Sequence, residues 1–206
     1  MELRSKVAEN LNKRVLKDGN HIDVGLLGTK AILSALSENE YADEAYMLAS
    51  QETFPSWGWW IVNGATTLYE NWPLDAKKDL SMNHIMFGEI GAWFYKALGG
   101  IKPCPEQPGF KIVLLAPCFV KGLDAAEATH VSPYGEIISK WTRKGKNIIY
   151  SITIPANSTA DFTIPAEYTI KAVRLLSGET ATLNKNTDNS YSLPAGSYEL
   201  KLNASR

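Results

Sequence analysis

The sharpest constraint on this 206-residue chain is a change of periodicity at Ile101. Upstream of it, apolar residues recur every three to four positions, the spacing that gathers them on one face of a helix. Downstream the period falls to two, with β-branched residues and short turns, as in strands whose faces alternate between core and solvent. Between the two lies IKPCPEQPGF, with Pro103, Pro105 and Pro108. Proline has no N–H and its ring clashes with the preceding turn, so no helix continues through such a linker. The chain therefore reads as α+β with two domains, residues 1–102 and 103–206.

Within the first domain, Leu3, Val7, Leu11 and Val15 predict a helix with one narrow apolar stripe, closed by Gly19. Asp23 follows as a turn former or cap rather than an acid of a site. Leu26 to Leu36 is apolar around most of its circumference, which predicts a helix buried on several sides. Tyr41 to Ser50 completes a helical hairpin. Ser81 or Asn83 is expected to cap a further helix from His84 to Leu98, where Gly88 and Gly91 would let a neighbour approach. Beyond the linker, strands are predicted at Lys111–Leu115, Glu136–Thr142, Asn147–Ile154, Ala160–Ile164, Thr169–Leu175, Thr180–Leu183, Ser190–Leu193 and Ser197–Leu202. Their spacing, with turn signals at Gly145 and Ser177-Gly178, points to an antiparallel β-sandwich.

Charge and composition narrow the class. A net charge of -1 disfavours nucleic acid and anionic membrane as partners, both of which require a basic surface. The one basic knot, Arg143-Lys144-Gly145-Lys146, reads as an exposed hairpin turn. No apolar run reaches the length of a membrane span. The charged opening, ELRSKVAEN, reads as helix rather than signal peptide, and no compartment is assigned. Cys104 and Cys118 follow no metal-ligand spacing and read as free thiols, while His21, His84 and His130 are too scattered for a metal cluster. No metal or organic cofactor is implied.

The chemistry concentrates between Pro55 and His84. Four of the six tryptophans (Trp57, Trp59, Trp60, Trp72) lie there, with Tyr69, Glu70 between aromatics, and His84. Rings beside a carboxylate suit a sugar: the apolar face of a pyranose stacks on an aromatic ring, and the acid moves a proton at the anomeric carbon. Taken alone, such a cluster is more often core than platform. Punctuated by Gly58, Gly64 and Pro73, the stretch reads as a long functional loop, too irregular for one regular element.

The pieces PSWG, NGATT with a following Glu, NHIMFGEIG and SPYGEIISKW occur in the order that resembles the C-terminal part of bacterial alpha-L-rhamnosidases, glycoside hydrolase family seventy-eight. The resemblance covers about residues 21–141. It implies the last helices of an incomplete six-hairpin α/α barrel followed by a terminal β-domain, and inverting hydrolysis of terminal alpha-L-rhamnose. By the same resemblance Glu70 is the catalytic general base, His84 contacts the sugar, and Trp57 and Trp72 line the pocket. The family usually carries Trp-Glu-Arg-Trp around the base; here it is Tyr69-Glu70-Asn71-Trp72. Tyr69 keeps an aromatic wall, but the permanent positive charge of the Arg is lost. The segment from Trp72 to His84 is also shorter than usual.

Inverting hydrolysis needs a second carboxyl group about 6.5–9.5 Å from the base, leaving room for water. The resemblance places that general acid in upstream helices that these residues do not include. Four helices, one apolar nearly all round, also leave surface to cover, by the absent part of the barrel or by self-association. The expected reading is thus the C-terminal portion of a rhamnosidase, inactive alone, whose partner is a rhamnose-containing glycan or glycoside. The alternative is a non-catalytic carbohydrate-binding or oligomerising fragment.

Overall fold

A computed structural model describes residues 2–75, 81–187 and 190–205. The chain divides into two compact units, Met1–Trp93 and Phe94–Arg206.

The first unit is helical. Its elements are α1 (Glu2–Lys17), α2 (Leu26–Ser37), α3 (Ala42–Ser50), α4 (Trp57–Val62), a 3-10 turn (Ile85–Gly88) and α5 (Glu89–Trp93). Helix α1 ends as its sequence dictates: Gly19 takes φ 67°, and the N–H groups of Gly19 and Asn20 return to the carbonyls of Leu16 and Val15. Its buried line is Ala8, Asn12 and Val15, and Leu3 and Val7 are exposed, so the expected stripe is covered at one end only. Helix α2 buries Thr29, Ile32, Leu33 and Leu36 but leaves Leu27 82% exposed, so it is not enclosed on several sides. Asp23 caps nothing; Gly25 holds the N-cap position of α2, and the Asp23 carboxylate accepts from Arg14 at 2.7 Å.

The helix expected over His84–Leu98 is three pieces. The 3-10 turn and α5 lie in the first unit, and a π turn over Phe94–Leu98 lies in the second. Its cap is His84, not Ser81 or Asn83. A Cβ on Gly88 would meet Leu68 at 3.4 Å, whereas one on Gly91 would meet open space.

Two five-stranded sheets make up the rest of the second unit. One runs β1 (Ile101–Pro103), β2 (Ile112–Leu115), β6 (Thr159–Phe162), β9 (Tyr191–Leu193) and β8 (Asn184–Lys185). The other runs β3 (Ala125–Ser132), β4 (Gly135–Lys144), β5 (Asn147–Ile154), β10 (Gly196–Ala204) and β7 (Tyr168–Leu175). Pairing is antiparallel except between β2 and β6, which are parallel. Side chains of both sheets meet in one core, with Val113, Leu115 and Phe162 from the first and Trp141, Tyr150 and Leu200 from the second. The strand expected at Thr180–Leu183 is an isolated bridge between Arg174 and Thr180, with the pairing displaced to β8.

The basic knot does form the β4–β5 turn, Lys144 facing Asn147 across Gly145 at φ 62°. Arg143, however, faces inward. Its guanidinium donates to the carbonyls of Leu123, Phe119 and Val120 and to the Tyr168 hydroxyl. That single side chain ties the loop before β3 to two strands.

Candidate active site

The site is built from α4 outwards. Ser56 caps this helix, accepting from the Trp59 N–H at 2.9 Å while its hydroxyl donates toward the carbonyls of Gln51 and Thr53. Gly58 makes the close turn possible, because a Cβ there would sit 2.3 Å from the Gln51 carbonyl oxygen. The helix ends on Gly64 at φ 84°, with the N–H groups of Gly64 and Ala65 returning to Ile61 and Trp60. What the sequence suggests is a long irregular loop therefore opens with six ordered helical residues.

Helix α4 turns Trp57 and Trp60 inward, 3% and 2% exposed. They meet Trp72 and Phe87 in a packed knot of rings. Centroids lie 4.8 Å apart for Trp60–Trp72, 5.3 Å for Trp57–Trp72, 5.2 Å for Trp60–Phe87 and 4.5 Å for Trp72–Phe87. Three indole N–H groups end on backbone carbonyls: Trp57 on Phe87 at 3.1 Å, Trp60 on Trp72 at 2.9 Å, and Trp72 on Val24 at 3.2 Å. Buried indole donors need such acceptors, and these fasten α4, the loop around Trp72 and the chain before α2 to each other. Trp57 and Trp72 are thus buried parts of a wall, not open rings.

Glu70 and His84 lie on two facing stretches of chain. The Glu70 N–H donates to the Ser81 carbonyl at 2.9 Å, and the His84 N–H to the Leu68 carbonyl at 2.7 Å. The Thr67 hydroxyl donates to the Met82 carbonyl between them. The Glu70 carboxylate accepts the Ser81 N–H through Oε2 at 2.8 Å. His84 accepts the Met86 N–H on Nδ1 at 3.2 Å, so in the neutral ring the proton lies on Nε2, which is left as a donor. Tyr69 stacks at a tilt against Trp60 with centroids 5.5 Å apart, and Tyr69, Glu70 and His84 are all half-buried. Residues 76–80, within the Trp72–His84 segment that the sequence shortens, lie outside the described residues. Among the described residues, no group of three or more His, Cys, Asp or Glu side chains is placed to hold a metal ion.

The arrangement is a carboxylate held by a peptide donor and an imidazole with an Nε2 donor, on two paired stretches of which one is packed on the buried rings through Tyr69. Comparison with known families covers both units. Residues 1–98 match the bacterial alpha-L-rhamnosidase 6 hairpin glycosidase domain, and residues 100–175 match the bacterial alpha-L-rhamnosidase C-terminal domain. The chain belongs to the bacterial alpha-L-rhamnosidase family.

Rhamnosidases similar to it include one from Formosa agariphila, 35% identical over 81% of this chain, and one from Alteromonas sp., 34% identical over 88%. The chain spans 18% and 20% of the length of those two proteins. Among solved structures, the Streptomyces avermitilis alpha-L-rhamnosidase complexed with L-rhamnose superposes with a TM-score of 0.82. It is 27% identical, covering 97% of this chain and 20% of that one. The rhamnosidase from Dictyoglumus thermophilum gives a TM-score of 0.78 at 28% identity, covering 92% of this chain and 22% of that one. The six-hairpin and C-terminal domains expected from the sequence are therefore those of this rhamnosidase family.

Two contributors escape the sequence reading. Phe87 completes the ring knot with Trp60, yet in the sequence it is one apolar residue of the helix expected over His84–Leu98. Ser81 acts through its peptide group, which leaves no mark on the side-chain pattern.

Proposed function

We propose that this chain supplies the general base and part of the sugar pocket of an inverting alpha-L-rhamnosidase. Glu70 removes a proton from the water that attacks the anomeric carbon. Tyr69 and His84 contact the sugar, with the Nε2 donor of His84 suited to a sugar hydroxyl, and Trp57 and Trp72 form the wall behind them. The general acid is contributed by helices of the barrel that these residues do not include. The observation that supports the reading is the pairing of the Leu68–Glu70 and Ser81–His84 stretches, which joins the backbones that carry the carboxylate and the imidazole in a chain of this family.

The exposed apolar side chains of the helical unit support a missing complement. Leu27 and Ile85 are 82% and 86% exposed, and Ile61 and Val62 are also uncovered. Singly exposed apolar residues are ordinary, but several large ones on one small helical unit fit a face that the remaining barrel helices cover. The substrate is a rhamnose-containing glycoside, and self-association through the same face is the competing occupant.

Hydrolysis of an aryl alpha-L-rhamnoside tests this. The chain alone should be inactive, activity should return on adding the upstream helical portion, and Glu70→Gln should abolish that recovery. Substantial hydrolysis by the chain alone, or a Glu70→Gln complex as active as the parent, overturns the assignment. A non-catalytic sugar-binding module would instead bind L-rhamnose in calorimetry equally well with Glu70→Gln. The burial of Trp57 and Trp72 disfavours it, since neither ring offers an open face for stacking.

A further inference from the structure

We infer that Ser81 is a positioning residue for Glu70, acting through its peptide group alone; the inference rests on the reading of Glu70 as general base. Two hydrogen bonds join the pair. The Ser81 carbonyl accepts the Glu70 N–H at 2.9 Å, fixing the backbone, and the Ser81 N–H donates to Oε2 at 2.8 Å, fixing the carboxylate. One residue thus holds both the backbone and the carboxylate of Glu70. With three rotatable bonds, a free Glu samples many rotamers, and a base must hold its oxygen within a few tenths of an ångström of the attacking water.

The division of labour between the oxygens follows. Oε2 is occupied by the Ser81 peptide donor, which assigns Oε1 to the attacking water. Ser81 is itself braced. Its hydroxyl donates to the Asn83 carbonyl at 2.9 Å and accepts the Asn83 N–H at 3.1 Å, closing a local turn. The Ser81–His84 stretch therefore anchors the base at one end and carries His84 at the other.

Heteronuclear NMR on the intact chain tests the proposal without any need for turnover. A backbone amide hydrogen-bonded to a carboxylate changes shift as that carboxylate takes up a proton. The Ser81 amide is expected to follow the same pH curve as the Glu70 side-chain carboxyl carbon, to lose that titration in Glu70→Gln, and to be strongly attenuated in the shorter Glu70→Asp. Ser81→Pro, which deletes the N–H but keeps the carbonyl, should turn the Glu70 side-chain couplings from single-rotamer to averaged values. Ser81→Ala, which keeps the N–H, should leave them fixed.

A Ser81 amide that ignores the Glu70 titration, or that titrates unchanged in Glu70→Asp, overturns the clamp, and the wild-type and Glu70 variants decide this even where Ser81→Pro does not fold. The clamp and the general-base reading fail separately. A tracking Ser81 amide beside an active Glu70→Gln complex would retain the hydrogen bond and remove the catalytic role. A flat Ser81 amide beside an inactive Glu70→Gln complex would do the reverse.

Discussion

The indole of Trp60 donates to the backbone carbonyl of Trp72 at 2.9 Å, so one buried ring holds the chain two residues past the candidate base. Replacing Trp60 by Phe keeps an aromatic ring in the knot but leaves that buried carbonyl without its donor. The expected cost is about 1–3 kcal/mol, the penalty of an unsatisfied buried polar group. Trp60→Ala also removes the ring and should cost about 3–5 kcal/mol. Urea denaturation of the two variants checks the order, and a Phe variant as stable as the parent would show that the N–H contributes nothing.

Gly58→Ala is expected to destabilise the helical unit, although alanine is the better helix former. The added methyl would lie 2.3 Å from the Gln51 carbonyl oxygen, a backbone atom that cannot swing aside. Overpacking of this kind costs about 1–3 kcal/mol. A raised melting temperature for Gly58→Ala would contradict the close approach.

Arg143 bridges a loop and two strands with donors that a lysine cannot reproduce. Lysine offers a point charge in place of a planar fork, so Arg143→Lys should strand several of the carbonyls that the guanidinium now satisfies. A loss of roughly 2–3 kcal/mol is expected. Hydrogen exchange should rise first across the loop at Phe119–Leu123, and uniform protection there would refute the bracing role.

Tyr150 makes the β-sandwich sensitive to alkali. Burial pushes its phenol above the ordinary tyrosine range, with the Ser139 hydrogen bond pulling weakly the other way. The Ser139 hydroxyl donates to the Gly99 carbonyl, so Tyr150 is the donor in their 3.0 Å contact. Because the folded value is raised, this contribution is intact below the unfolded tyrosine value of about 10 and is lost as pH rises beyond it. Tyr150→Phe should cost about 1 kcal/mol at neutral pH. Above about pH 10 the parent should lose up to about 1.4 kcal/mol more per pH unit than the variant. Parallel stability–pH curves would show that Tyr150 ionises freely in the fold.

Much of the fold was legible where periodicity and packing agree. Helices α1, α2 and α3, and strands β4, β5, β7 and β10, lie where apolar spacing places them. Strand β3 was missed because Ala125 to Ser132 is poor in β-branched and aromatic residues; its place is set by pairing along β4 rather than by propensity. The helix expected from His84 to Leu98 breaks into three because periodicity reports a helical face but not the hydrogen-bond step that builds it. At the site, Glu70 and His84 stood out through family motifs. The inward turn of Trp57 and Trp72 did not, since an aromatic residue reads the same whether it faces a ligand or a neighbour. Ser81 was invisible for a simpler reason: every residue but proline has an amide.

The parallel pairing of β2 with β6 has a consequence for how the chain assembles. On a ribosome, β1 and β2 emerge as a short ribbon whose β2 edge is bare. The strand that covers it arrives only after β3, β4 and β5 have been made, and those three can already zip into a meander by themselves. Late, distant pairings are the slow ones in β-proteins. The first sheet is therefore expected to stay open until β6 is made, and the second to close only when β10, the last strand, docks between β5 and β7.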